Sequence, residues 1–277
     1  MIDMIALRIA LTSIASIASF AFIFALIYLL ILVRPRAKSP KNTALLCDYA
    51  HRGLHGDGVP ENSLEAFERA CREGHGIELD VQLSRDGKVM VFHDYTLVRM
   101  TGLDKKLCEL DAAELCALSL AGTEQKIPTF KEVLACVDGR VPILVELKGE
   151  NVDTALCPKV AEILKGYGGD YCIESFNPLL IKDIKKYLPD AYCGLLYTNV
   201  CRDKQKFNAL NIIISGMMLN FLARPDFIAY NKLDRNSFLV KLTTKFYRAP
   251  KFIWTIKGED ELNDAHSHGE CPIFETK

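Results

Sequence analysis

Residues 50–94 read AHRGLHGDGVPENSLEAFERACREGHGIELDVQLSRDGKVMVFHD. In 62–73 the apolar residues Leu64, Phe67, Ala70 and Cys71 step by three or four, and Asn62 with Glu65 suits a capping box, so a helix is predicted there. Apolar runs of strand length follow at 76–83 and 89–93. Working outward, similar runs occur at 45–50, 142–147, 171–175, 192–196, 227–230, 252–256 and 271–274. Helical spacing lies between most of them, at 156–164, 178–187 and 259–265. Such alternation predicts an α/β fold with a parallel sheet closed as a TIM (β/α)8 barrel. One candidate strand is surplus. The run 89–93 follows Asp86-Gly87, a hairpin turn signal rather than a crossover helix. It is expected to be an antiparallel return folding back over the barrel mouth. Residues 103–126 read as a small helical insertion at the surface. Residues 209–222, too short to span a membrane, read as a buried core element.

The front of the chain differs in kind. From Ile9 to Val33 there are 25 residues without a charge. A helix of that length, at about 1.5 Å per residue, crosses a hydrocarbon core roughly 30 Å thick with some tilt. A cleaved signal peptide would have a shorter apolar region and a clear basic start, whereas here Asp3 stands against Arg8. An uncleaved single-pass anchor is therefore expected, with a flank at 1–8, a transmembrane helix at 9–33, a linker at 34–43 and the barrel domain at 44–277. Arg34, Arg36, Lys38 and Lys41 follow the span before any acid appears. That asymmetry is expected to place the large C-terminal domain on the cytoplasmic side of the cell membrane. The ten cysteines are scattered singly with no CxxC pair, which suits a reducing compartment. A net charge of −1 offers no global basic field for nucleic acid.

Chemistry concentrates at the ends of the expected strands. Glu78 and Asp80 are two apart in a strand and point to one face, where paired carboxylates suit a hard divalent cation, Mg2+ or Ca2+. Glu146 and Lys148 repeat the spacing in Val-Glu-Leu-Lys. Because the C-terminal strand ends of a barrel converge on one mouth, Glu146 is placed to complete the metal site and Lys148 to face a phosphate oxygen. Taken singly, each pair suits a solvated strand end or a structural salt bridge. Three strand ends with two histidines favour a site. His51 and His93 each follow an apolar run and neighbour a charge, Arg52 or Asp94, whereas His55, His75, His266 and His268 lie on turns or loops. A phosphodiester needs a base for the nucleophile and an acid for the leaving alkoxide, and two imidazoles supply both. Arg52 offers bidentate donors to phosphate.

These residues are similar to the signature of the glycerophosphodiester phosphodiesterase family: HRG, PEN-S/T, an E-x-D pair, a DG turn and an HD. The likeness continues through Val-Glu-Leu-Lys at 145–148, Ser175-Phe176 and Trp254-Thr255. The resemblance implies a TIM barrel that hydrolyses glycerophosphodiesters to glycerol 3-phosphate and an alcohol with a divalent metal. By similarity, Glu78, Asp80 and Glu146 hold the metal, His51 and His93 are acid and base, and Arg52 and Lys148 bind phosphate. Phe176 and Trp254 would line the substrate pocket. The chain departs from the family at its last strand, where Glu275 stands in place of a Thr-Asp ending, and before Tyr230, which leaves a pocket role for Arg224 or Asp226 open. The nucleophile is water or the substrate's adjacent hydroxyl, and which imidazole is the acid is open. Two other readings stand beside this one. A lysophospholipase D acting on lysolipids at the membrane would show a hydrophobic rim beside the mouth, and a catalytically silent scaffold would lack one of the seven positions.

Overall fold

Among the described residues nine strands form one sheet: β1 (Tyr49–Ala50), β2 (Gly76–Leu83), β3 (Val89–Val91), β4 (Ile143–Leu147), β5 (Tyr171–Ser175), β6 (Tyr192–Tyr197), β7 (Phe227–Asn231), β8 (Lys251–Lys257) and β9 (Cys271–Glu275). The computed structural model describes residues 2–149 and 153–276. Eight strands are parallel and follow one another around a barrel, which closes because β1 pairs with both β2 and β9. The extra strand β3 pairs antiparallel with β2, Val81 opposite Val91, as the Asp-Gly turn indicated. Helices Leu64–Glu73, Phe130–Val137, Leu156–Leu164, Pro178–Tyr187 and Gly258–Ser267 cover the outside. This is the expected TIM barrel.

The interior is apolar at its base and acidic at its mouth. Tyr49, Leu144, Cys172, Tyr192, Phe227 and Phe252 fill the lower layers. Their rings are tilted against one another, with Phe227 centred 4.2 Å from Phe252 and 4.9 Å from Tyr192. A glycine makes room for this stack: a Cβ on Gly194 would lie 2.1 Å from Phe227. A second apolar layer joins the sheet to its helices, for example Phe67, Ile143, Val160 and Ile184. Transfer of such side chains from water, at about 25 cal/mol per Å² of apolar surface, drives the assembly.

Several sequence expectations need correction or refinement. Residues 45–50 are not one strand. Asn42 caps a short turn at Thr43–Leu45 by accepting from the Ala44 amide, and only Tyr49–Ala50 pairs. The cap of the helix at Leu64–Glu73 is Ser63, which accepts from the Ala66 amide. Asn62 sits instead in the left-handed region with its side chain on Asp80. The insertion at 103–126 is helical in part, with a 3-10 turn at Leu107–Glu109 and one short α-helix, Ala112–Ala117. Leu107, Leu110, Leu115 and Leu120 bury against Met90 and Phe92 from the β3 arm, giving the insertion a small core of its own. Residues 209–222 are a core element only in part: Met217 is buried in the main core, but Leu210 is 60% exposed and Ile212 49%.

A helix at Ile2–Ile27 continues as a wider turn at Tyr28–Leu32, and Leu7–Leu32 is long and apolar enough to cross a membrane. The chain that follows runs along the barrel wall. Tyr28 donates to the Gly216 carbonyl, Asn220 donates to that of Val33, and Arg36 meets Asp226 at the entry to β7. Lys41 and Asn42 then reach Asp190 and Asp170, just ahead of β6 and β5 at the barrel base. Asp226 is fully buried against Arg36 and Lys185, so it belongs to this seam and not to a substrate pocket, and Arg224 caps the turn beside it.

Candidate active site

The mouth is built from the C-terminal ends of β1, β2, β4 and β5. Parallel register sets Asp80 opposite Glu146, and Glu146 opposite Glu174. Alternation along β2 brings Glu78 to the same face. One oxygen from each of Glu78, Asp80 and Glu146 lies within 4.8 Å of the others, and all three residues are buried. Glu174 adds a fourth buried carboxyl, one of whose oxygens has no hydrogen-bond partner among the described residues.

Two fixed cations face this group. Lys148 Nζ lies 3.0 Å from Asp80 and 2.9 Å from Glu146. Arg52 Nε is 3.6 Å from Asp80, while its Nη1 donates to Glu61 at 2.9 Å. The Arg52 backbone is left-handed, which turns its amide onto Glu78 at 2.8 Å. Gly53 follows with φ +78°, where a Cβ would strike Ala66 at 2.9 Å. The HRG tripeptide is thus a turn that only glycine can complete there.

Charge is not balanced. Burial and the neighbouring carboxylates Asp80 and Glu146 push Glu78 far above its ordinary pKa. Burial also raises Glu146 against the pull of Lys148, and raises Glu174 together with the surrounding acids. Asp80 goes the other way: burial would raise it, but Lys148, His93, Arg52 and Asn62 together hold it below the usual carboxylate range. Three converging acids with oxygen donors and too little positive charge are what a hard divalent cation satisfies. The donor set therefore fits such an ion. A second group, His51, His55 and Glu275, also lies within ligand distance of one another, but its carboxylate is engaged by His51 and Lys257.

Both imidazoles are oriented by acids. His51 Nδ1 is 2.7 Å from Glu275 on β9, and His93 Nδ1 is 2.6 Å from Asp94. Holding Nδ1–H on a carboxylate leaves Nε2 as the working nitrogen, and that of His51 lies 4.0 Å from Glu78. Burial lowers the pKa of His93, Lys148 and Arg52 add to that shift, and Asp80 and Asp94 oppose it. Arg99 ties the two sides together by donating to Asp94 and to Glu61 at 2.6 Å each. At the rim Phe176 stands edge-on to Trp254, centroids 5.6 Å apart, and Trp254 donates to the Ala229 carbonyl at 3.1 Å.

All nine sequence-selected residues line or border one cavity of about 120 Å³. Sequence reasoning overlooked Glu174, Arg99 and the service of Asp94 and Glu275 to the imidazoles. Asp94 had a signal in its place beside His93, and Glu275 in the departure from the family's last strand; Glu174 and Arg99 had none.

Buried acids short of a cation, beside imidazoles that can trade a proton, form a site suited to metal-assisted acid–base chemistry. The chain belongs to the glycerophosphoryl diester phosphodiesterase family, whose model matches residues 51–263. A glycerophosphodiester phosphodiesterase of Caldanaerobacter subterraneus is 36% identical over 161 residues, 53% of this chain and 65% of that one. The lysophospholipase D GDPD1 of Rattus norvegicus is 34% identical over 131 residues, 43% and 40% of the two chains. The match spans less than two thirds of either relative. An Oleispira antarctica phosphodiesterase, solved with its product sn-glycerol-3-phosphate, superposes with a TM-score of 0.67 at 22% identity, covering 83% of this chain and 92% of that one.

Proposed function

We propose that this chain is a membrane-anchored glycerophosphodiesterase, releasing glycerol 3-phosphate and an alcohol. The observation that carries the reading is the convergence of Glu78, Asp80 and Glu146 with His51 and His93 on one mouth. In this reading the three acids hold a divalent cation, Mg2+ or Ca2+, which neutralises charge on the phosphoryl group. Lys148 and Arg52 bind phosphate oxygens; the Arg52 Nε–H, buried and without an acceptor among the described residues, is a donor kept for a ligand. One imidazole takes the proton of the attacking hydroxyl at Nε2 while its Nδ1–H stays on its carboxylate. The other gives a proton from Nε2 to the leaving oxygen. Glu275 and Asp94 keep both rings in that tautomer. Phe176 and Trp254 offer an apolar wall to the glycerol or headgroup side.

The helix at 2–32 serves as the anchor, and Arg34, Arg36, Lys38 and Lys41 keep the barrel on the cytoplasmic face. The relatives' names and the product found in the Oleispira enzyme support a glycerophosphodiester substrate. One observation also favours lysolipids: large apolar side chains stand exposed in the connections beside the mouth. A silent scaffold is disfavoured because none of the seven polar positions is lost. The test is turnover of glycerophosphocholine, glycerophosphoethanolamine and lysophosphatidylcholine with Mg2+, Ca2+ or chelator, beside His51→Ala and Glu78→Ala. Full activity in both variants would sink the assignment, and indifference to chelator would sink the metal.

A further inference from the structure

The connections that follow β6 and β7, residues 198–226 and 232–250, start at the mouth end of the barrel and return to its base. Of the twelve exposed large apolar side chains described outside the N-terminal helix, seven lie in these two connections. Phe207 is 78% exposed, Phe238 69% and Phe246 72%. They alternate with exposed lysines: Lys204 and Lys206 beside Phe207, Lys241 beyond Phe238, and Lys245 beside Phe246. Aromatic and aliphatic side chains interleaved with lysine are the composition of a surface that enters the headgroup layer of an anionic bilayer.

The same two connections carry the end of the apolar N-terminal helix. Tyr28 bonds to Gly216, Tyr247 donates to the Leu29 carbonyl, and Asn220 to that of Val33. These contacts give the helix a direction. Ser215, next to Gly216, accepts from Tyr197 at the mouth end of β6, whereas Arg36 sits at the base with Asp226. From residue 36 back to residue 28 the chain climbs towards the mouth, and the helix leaves beyond it. The side of the barrel that opens to the site is therefore the side from which a span would enter a bilayer. The cavity itself, about 120 Å³, is far below the roughly 300–1,000 Å³ of pockets that enclose a drug-sized ligand. A cavity of that size has room for a small polar group and none for an acyl chain.

We propose that the connections after β6 and β7 form a membrane-contacting rim that seats the barrel mouth on the leaflet the N-terminal helix enters, so that acylated glycerophosphodiesters reach the site from that leaflet. This rests on the reading of the chain as an anchored glycerophosphodiesterase. The occupant is a lipid surface, because the patch is continuous with the helix that is itself apolar enough for one.

The test uses the full chain in nanodiscs of phosphatidylcholine and phosphatidylglycerol. A photoreactive benzoylphenylalanine replaces Leu210 or Phe238, Phe20 inside the span as positive control, or Lys165 at the barrel base as negative control. Lipid adducts at Phe20, Leu210 and Phe238 but not at Lys165 are expected. Adducts at Phe20 alone would overturn the rim, and none at Phe20 would overturn the anchor and the rim with it. In parallel, the triple variant Leu210→Ser, Phe238→Ser, Phe246→Ser is expected to lose about tenfold on lysophosphatidylcholine in the nanodisc with soluble glycerophosphocholine turnover unchanged. A triple variant that turns over both substrates at the wild-type rate would overturn the proposal. A variant that loses both alike has lost its fold, and the adducts then decide. If the wild type hydrolyses neither substrate, the catalytic reading fails while the adducts still report the rim.

Discussion

Replacing Glu275 by Gln removes one charge and almost no volume from the last barrel strand. In the native protein its Oε1 lies 2.7 Å from His51 Nδ1, inside the range of charge-assisted hydrogen bonds, and its side chain is 20% exposed. Such a bond contributes about 1.5–3 kcal/mol, and partial exposure puts this one near 2 kcal/mol. At about 1.36 kcal/mol per factor of ten, Glu275→Gln should lower kcat for glycerophosphocholine by roughly 30-fold. KM should barely move, since Glu275 touches the imidazole and not the phosphate cavity. Glu275 also meets Lys257 at 2.8 Å, but that lysine is 60% exposed. An exposed pair is worth at most about 1 kcal/mol, so Lys257→Met should cost no more than about fivefold. Stability supplies an independent reading. The His51 hydrogen bond holds the Glu275 carboxyl well below its ordinary range; burial opposes that shift and Lys257 adds to it. A depressed carboxylate stabilises the fold above its unfolded pKa of about 4.3 and loses that contribution as pH falls towards the folded value. The difference in Tm between wild type and Glu275→Gln should therefore be full at neutral pH and close only in acid below about pH 4. Glu275→Gln retaining kcat within threefold, or matching Lys257→Met, would refute the orienting role.

Chelation should abolish turnover and Mg2+ or Ca2+ should restore it, with Glu78→Gln failing to recover at any metal concentration; isothermal titration with the metal alone should lose its heat in that variant. Gly194→Ala puts a methyl into the ring of Phe227 and should destabilise the barrel by about 1–3 kcal/mol, read as a lowered Tm. Arg36→Ala leaves the fully buried Asp226 with the Cys193 amide at 3.1 Å and, as its one charged partner among the described residues, Lys185 at 3.7 Å. It should cost about 3 kcal/mol in thermal unfolding, and a double variant with Asp226→Asn should recover much of that loss.

Much of this protein is written locally. Alternating apolar runs and helical spacing specify strands and helices because side-chain direction repeats every two or 3.6 residues. Asp86-Gly87 marks the β3 hairpin within four residues of sequence. Glu78 and Asp80 share a face by strand alternation alone. Local rules failed where tertiary partners compete. Asn62 would cap a helix in isolation, yet Asp80 offers its amide a buried charged acceptor, and Ser63 takes the cap. Residues 209–222 carry the apolar content of a core, but only Met217 finds room in it, and Leu210 and Ile212 stand outside.

The sequence by itself determined the barrel, the apolar N-terminal helix and the identity of the acids, imidazoles and cations, since each follows from periodicity, length or side-chain chemistry. Tertiary structure alone decided that Glu174 joins the acid cluster, that Glu275 serves His51 from 224 residues away, and that the mouth opens on the side from which the helix departs. Those depend on barrel closure and strand register, which bring together residues that no sequence spacing relates.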